Sequence, residues 1–270
     1  MTTSFREAEL AGWSTRSASY DQHLSPITNQ VIAPIIAALG PLDGRRVLDV
    51  CCGPGHLAGS LATEGAAVEG VDFAASMIAK AGENYPRLTF QVGDAEALPH
   101  ASDTFDHVVC AFGVMHLRRP ESAIAEAFRV LRPKGRFVFT QWGKDDEVLN
   151  IVLSAIADHG TPISDLPDAP PPLRFSDPRE CRRVLEASGF TEVRDDLIET
   201  TWTNERPKAL LDLIYGGAVR VAMMLEAQEP ARRARIHDAI LGAAKAHVFD
   251  GTVVIRRPVV VASGTKPSSA

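Results

Sequence analysis

Three carboxylates stand at or near the ends of short apolar runs: Asp49 in RVLDV, Asp72 closing AVEGVD and Asp94 closing LTFQVGD. After the first run comes a turn of small residues, Cys51-Cys52-Gly53-Pro54-Gly55. Gly53 and Gly55 let the chain bend sharply and let a ligand come where a Cβ would collide. A purely structural strand-to-helix turn would need no more than this. A dinucleotide reading competes, because Gly53-Pro54-Gly55-His56-Leu57-Ala58 satisfies G-x-G-x-x-A and Asp72 follows at the distance of a ribose-gripping acid. That leaves an NAD-dependent oxidoreductase open as an alternative. Asp49 argues against a pyrophosphate, since it would repel phosphate and attract an ammonium. Acids at three successive strand ends suit a cofactor that carries an ammonium, a ribose and an adenine, with no phosphate.

The elements that must position these residues are visible in the pattern. Val31, Ile32, Ile35, Ile36 and Leu39 form the apolar face of a helix that Gly40-Pro41 ends. From residue 46, apolar strands (46–50, 67–72, 88–94, 105–112 and 135–142) alternate with helical stretches (55–64, 75–83 and 119–131). Such alternation builds parallel sheets from βαβ units. A helical run over 145–159 leads into the proline-rich loop PISDLPDAPPPL. A helix (DPRECRRVLEASGF), a strand (EVRDDLIETTW), a helical block over 205–248 and a last strand around VVVAS complete the chain, with Pro258 placed to start that strand. The excursions 143–175 and 203–250, with the N-terminal helices, are expected to build a lid over the strand ends, where open α/β sheets bind ligands.

The chain has 270 residues and a formal net charge of −6, with no long basic tract to neutralise phosphates, so a nucleic-acid partner is disfavoured. No run reaches the roughly 18–20 apolar residues of a membrane span, and the N-terminus lacks an export pattern, so the expectation is a cytoplasmic protein without a membrane partner. The cysteines at 51, 52, 110 and 181 lack metal-site spacing, and no metal is expected. A homodimer is compatible with the sequence, but no segment argues for one.

Taken in order, VLDVCCGPGHLA, GVDFAASMIAKA, GDAEALPHASDTFDHVVCAF and FRVLRPKGRFVFT, with the upstream Tyr20-Asp21 and the later SDPRECRRVLEASGFTEV, resemble the class I S-adenosylmethionine (SAM) methyltransferases. The resemblance is to their type 11, ubiquinone/menaquinone-biosynthesis-like branch. It implies an α/β fold: a Rossmann-like, seven-stranded, mostly parallel sheet sandwiched by helices, with an antiparallel last strand and helical lid insertions. The expected arrangement is a single domain with a core over about 41–142, 173–202 and 252–264 and a lid from 1–40, 143–172 and 203–251. It also implies SAM as cofactor and SAH as product. Asp49 and residues Cys51, Cys52, Gly53, Pro54 and Gly55 would line the methionine part, with Tyr20 contributing. Asp72 would hold the ribose, Phe73 and Met77 would flank the adenine, Asp94 and Ala95 would meet its edge, and Cys110 would lie against the cofactor. The family's usual glycine two residues after the strand-end acid is Cys51 here.

Because SAM carries an activated methyl group, alignment and exclusion of water are the protein's main tasks, and a base is needed only if the nucleophile still holds a proton. His116, in FGVMHL, is the candidate base; the alternative is that it caps or packs the next helix. His23, Gln141, Trp142 and Tyr215 are candidates for the substrate pocket. The expected activity is methyl transfer to an O, N or C nucleophile of a small, partly apolar metabolite. The alternatives are a SAM-binding protein that does not methylate, cyclase-like or regulatory, and the oxidoreductase above.

Overall fold

The computed structural model describes residues 4–162 and 166–268. Helix α1 (Phe5–His23) opens with a capping box: the Ser4 hydroxyl accepts from the Glu7 N–H, and the Glu7 carboxylate accepts from the Ser4 N–H at 2.8 Å. Next come α2 (Ser25–Thr28), a 3₁₀ turn and α3 (Ile32–Leu39). Val31, Ile35 and Leu39 are buried as the apolar stripe requires, and Gly40 ends the helix at φ +83°.

The alternation then runs β1 (Arg46–Val50), α4 (His56–Thr63), β2 (Ala67–Asp72), α5 (Ala75–Asn84), β3 (Thr89–Val92), β4 (Phe105–Ala111), α6 (Pro120–Val130) and β5 (Leu131–Trp142). It continues with α7 (Glu147–His159), α8 (Pro178–Ala187), β6 (Thr191–Ile198), β7 (Thr201–Asn204), α9 (Ala209–Gly217), α10 (Val219–Glu226) and α11 (Pro230–Ala246). The hairpin β8 (Val248–Phe249) and β9 (Thr252–Arg256) precedes the last strand, β10 (Val259–Thr265).

Seven strands form one sheet in the order β3-β2-β1-β4-β5-β10-β6. The pairs among β1 to β5 are parallel, and β10 runs antiparallel to both β5 and β6. Central strands read as unbroken apolar runs because both faces are covered. Leu48 and Val108 point into a core shared with Ile124 of α6 and Leu185 of α8, whereas Val47 and Val109 face Leu39 and Leu61 of α3 and α4. The sheet thus matches the sequence expectation.

Three expectations are corrected. The segment 192–202 is not one strand: it breaks at Glu199-Thr200, where the Thr200 hydroxyl donates to the Arg257 carbonyl and the Arg257 N–H donates to Thr200 O at 2.8 Å. This exchange passes the chain from the main sheet to a second, three-stranded sheet, β7-β9-β8. Residues 252–256 therefore belong to that small sheet and not to the core. The helical block stops at Ala246, and Asp250-Gly251, at φ +48° and +78°, turn the β8–β9 hairpin. Ile27, Val152, Trp202, Leu210, Ile236 and Val253 join the small sheet to α2, α7, α9 and α11 in a core of their own.

Helix α1 packs against α5, α9 and α10. Its contact with α10 depends on Gly12, where a Cβ would overlap the Val219 side chain. Among the described residues, no helix is long and apolar enough to cross a membrane.

Candidate cofactor and substrate clefts

The loop after β1 folds through three left-handed residues. Gly53 has φ +52° and Gly55, the N-cap of α4, has φ +84°. Cys51 takes φ +57°, the conformation of the glycine it replaces, at a cost of about 1–2 kcal/mol for a residue with a Cβ. A Cβ on Gly53 would meet no protein atom within 4 Å, because it would project into a cleft.

That cleft, about 890 Å³, lies where the carboxyl ends of β1, β2 and β4 and the loop after β3 meet α1. Cys51, Gly53, Asp72, Phe73 and Met77 line one side, Asp94 and Ala95 the next, and Tyr20 and Trp13 of α1 cover them. Asp72 accepts from the N–H groups of Gly53 at 3.0 Å and Ala74 at 2.9 Å. Burial still pushes its carboxyl up to about 6. Asp94 accepts from the Glu96 N–H at 2.9 Å through one oxygen and pairs with Arg6 at 2.9 Å through the other.

Asp49 lies deeper, in an inner extension of about 430 Å³ that it lines with Tyr20, Cys52 and Pro54. It is 1% exposed, and its Oδ2 has no hydrogen-bond partner among the described residues. Burial first, and the nearby Asp72 second, push its carboxyl up to about 8. A buried carboxylate oxygen left unpaired is costly. A cation with N–H donors is the chemistry that satisfies it, and an amino-acid ammonium fits.

The Tyr20-Asp21 pair divides its work. Tyr20 covers the cleft, while Asp21 pairs with Nε2 of His56, whose Nδ1 is 2.9 Å from the Tyr85 hydroxyl. Asn84 donates to the Pro54 carbonyl at 3.1 Å. Through these contacts α1 is pinned to α4, and the glycine loop is pinned to α5.

A second cleft, also about 890 Å³, adjoins the first; Leu24, His116, Trp142 and Gly217 border both. Its walls are mainly apolar: Phe5, Met115, Val152, Leu173, Leu213 and Val221. Trp142 tilts against Phe112 at 4.3 Å between centroids, and the Arg257 guanidinium lies 3.8 Å from its ring centre. Arg257 is held in turn by Asp146, 1% exposed, through contacts of 3.0 and 2.6 Å.

His116 is the titratable side chain common to the two clefts. Its Nδ1 lies 2.8 Å from Oε2 of Glu9, the same oxygen that accepts from Trp13 Nε1–H at 3.0 Å. Sequence reasoning did not name Glu9, Arg6, Trp13 or Phe112. The signal for the first three was the REAELAGW segment, whose residues 9 and 13 share a helical face.

Five expected residues stand outside the clefts. Gly55 caps α4 with its Cα turned to Phe90 and Ala81, not to the cleft. Cys110 packs under Cys51 and Gly113, because β4 ends at Ala111 and Phe112, at φ +54°, turns residues 111–113 into the cleft instead. Gln141 is buried, donating to the Pro172 carbonyl at 2.6 Å and accepting from its neighbour's N–H at 3.0 Å, so it anchors the proline-rich loop. Tyr215 turns its hydroxyl to His237 of α11 at 2.8 Å. His23 lies against Gly216, and Leu24 takes the place at the cleft. Among the described residues, no group of three or more His, Cys, Asp or Glu could hold a metal ion.

Comparison with known proteins places this geometry. A family model described as a methyltransferase domain matches residues 47–135. The ubiquinone/menaquinone biosynthesis C-methyltransferase UbiE of Geobacter sulfurreducens is 30% identical over 190 residues, 61% of this chain and 73% of that protein. The demethylmenaquinone methyltransferase of Renibacterium salmoninarum is 36% identical over 108 residues, 40% of this chain and 46% of that one. Among solved structures, the YcgJ protein of Bacillus subtilis shares the fold with a TM-score of 0.58 at 19% identity, covering 88% of this chain and 99% of that chain. The chain belongs to the class I SAM-dependent methyltransferase family, in its ubiquinone/menaquinone-biosynthesis-like branch. It spans about half the length of the first curated relatives it matches.

Proposed function

We propose that this protein transfers a methyl group from SAM to an O, N or C nucleophile of a small, partly apolar molecule seated in the second cleft. The observation that carries the reading is the meeting of the two clefts at His116 and Trp142, one edged by acidic strand ends and the other walled by aliphatic side chains. SAM supplies a sulfonium whose methyl group is already activated for in-line attack. Asp49 would hold its ammonium, Asp72 its ribose hydroxyls, and Asp94 and Ala95 its adenine edge, with Phe73 and Met77 against the ring. His116 is the group to take a proton from the nucleophile. The N-terminal helices, α7 with its loop, and α9 to α11 act as one lid on a single catalytic domain and keep water from the junction.

The names of the relatives, a demethylmenaquinone methyltransferase and a ubiquinone/menaquinone C-methyltransferase, favour a quinol-type ring as acceptor and carbon as the methylated atom. Calorimetry with SAH and with NADH tests the cofactor, and mass spectrometry of a SAM reaction with demethylmenaquinol tests the transfer. SAH binding and a product heavier by one methylene are expected. NADH binding without SAH binding overturns the cofactor reading. SAH binding with no transfer to quinols, phenols or amines favours a binder that does not methylate.

A further inference from the structure

Glu9 is a carboxylate at 2% exposure on the lid helix, and its ion-pair partner among the described residues is His116, more than a hundred residues away in the chain. Burying a charge is costly unless it is paired and hydrogen-bonded. The capacity of Glu9 Oε2 goes to two ring nitrogens, Trp13 Nε1 at 3.0 Å and His116 Nδ1 at 2.8 Å, and the Trp13 ring meets the imidazole edge-on at 4.9 Å and 84°. An ionised carboxylate only accepts, so Nδ1 must carry the proton. That leaves Nε2 as the nitrogen with a free lone pair, on a side chain that borders both clefts.

We infer that Glu9 is a positioning residue: from the lid it fixes His116 as the Nδ1–H tautomer and stabilises the imidazolium formed when Nε2 takes the nucleophile's proton. The inference rests on the base role given to His116 above and adds what makes that role effective. The proton moves from the nucleophile's O–H, N–H or ring position to Nε2, the nucleophile keeps the electron pair, and Glu9 stays ionised throughout. Asp72, at the end of β2, also acts on the imidazole; the other charged side chains that line the clefts with it are Arg6, Asp94, Glu96 and Arg118 in the first and Asp146, Arg220 and Arg257 in the second. Glu9 is the one in direct contact. Because Glu9, Trp13 and Arg6 all sit on α1, the base is assembled only with that helix in place.

The test uses the full-length protein saturated with SAH and labelled with ¹⁵N at its histidines, His116 being assigned by loss of its signals in His116→Asn. In the wild type, His116 is expected to show a protonated Nδ1 and a bare Nε2. In Glu9→Gln, it should show mixed tautomers, since the acceptor that held the proton on Nδ1 is gone. With demethylmenaquinol as acceptor, Glu9→Gln should lower kcat about 10²- to 10³-fold, with KM and SAH affinity within a few-fold of wild type. The same substitution in His116→Ala should cost nothing further. A bare Nδ1 in the wild type, identical spectra in Glu9→Gln, or an equal cost in the His116→Ala background each overturns the inference. A different result, full kcat in His116→Ala, would remove the base role on which it rests. The tautomer measurement needs no turnover and separates the two failures.

Discussion

Asp49 and Asp72 make the cofactor cleft a proton store, and ligand binding should empty it. In the free protein the Asp49 carboxyl titrates at about 8 and that of Asp72 at about 6, both raised mainly by burial. At pH 6.5 Asp49 is therefore about 97% protonated and Asp72 about a quarter protonated. The ammonium of SAH already carries its charge at that pH, so the carboxyls must give up protons to meet it. Binding should release about 1.2 protons, measured as the dependence of the calorimetric enthalpy on the ionisation enthalpy of the buffer. Linkage then makes the association constant rise about 17-fold from pH 6 to 7. In Asp49→Asn the release should drop to about 0.2 protons, the share left to Asp72. The sign for folding is the reverse. Carboxyls whose folded values are raised favour the folded state while protonated, so their contribution declines as pH climbs from about 4 through 6 and 8. Buffer-independent enthalpy together with pH-independent affinity at pH 6.5 would refute the placing of the ammonium beside Asp49.

Three further outcomes are expected. Asp72→Ala should weaken SAH binding about 10- to 150-fold by calorimetry, the worth of charged hydrogen bonds to two hydroxyls; unchanged affinity would dismiss the ribose role. Asp146→Ala removes the cap of α7 and leaves Arg257 buried without its partner, so thermal unfolding should show a loss of about 3–5 kcal/mol. A loss under about 1 kcal/mol would mean that Arg257 finds another partner. Gly55→Ala should cost at least about 1–2 kcal/mol in a denaturant titration, because φ is +84° and the new Cβ would press on Phe90 and Ala81.

The sheet was legible because its strands are buried on both faces and announce themselves as apolar runs closed by acids and glycines. Asp49, Asp72 and Asp94 could be placed from that pattern alone, since a strand end has one position relative to the crevice. The segments expected to cover the strand ends resisted for a physical reason. Their contacts join residues far apart in the chain, as Glu9 to His116 or Gln30 to Thr201, and no local periodicity records them. The β8–β9 hairpin carried a readable sign, Asp250-Gly251 between β-branched and aromatic residues, but helical content on one side masked it. Cys110 shows the limit of strand alternation: Phe112 enters the left-handed region and breaks the two-residue rhythm just where the cleft begins. Cys51 shows the converse, since the backbone keeps its left-handed turn although the glycine that would adopt it freely is gone.

The close seating of α1 on α10 at Gly12 has a consequence for how such sequences can diverge. A side chain at position 12 and the valine at 219 claim the same volume, so the two positions form a single steric quantity split across two distant segments. Relatives with this lid should trade bulk between them, a larger residue at one accompanied by a smaller one at the other. A library randomised at both should return functional pairs whose summed side-chain volume stays nearly constant, whereas single replacements at position 12 should be rejected.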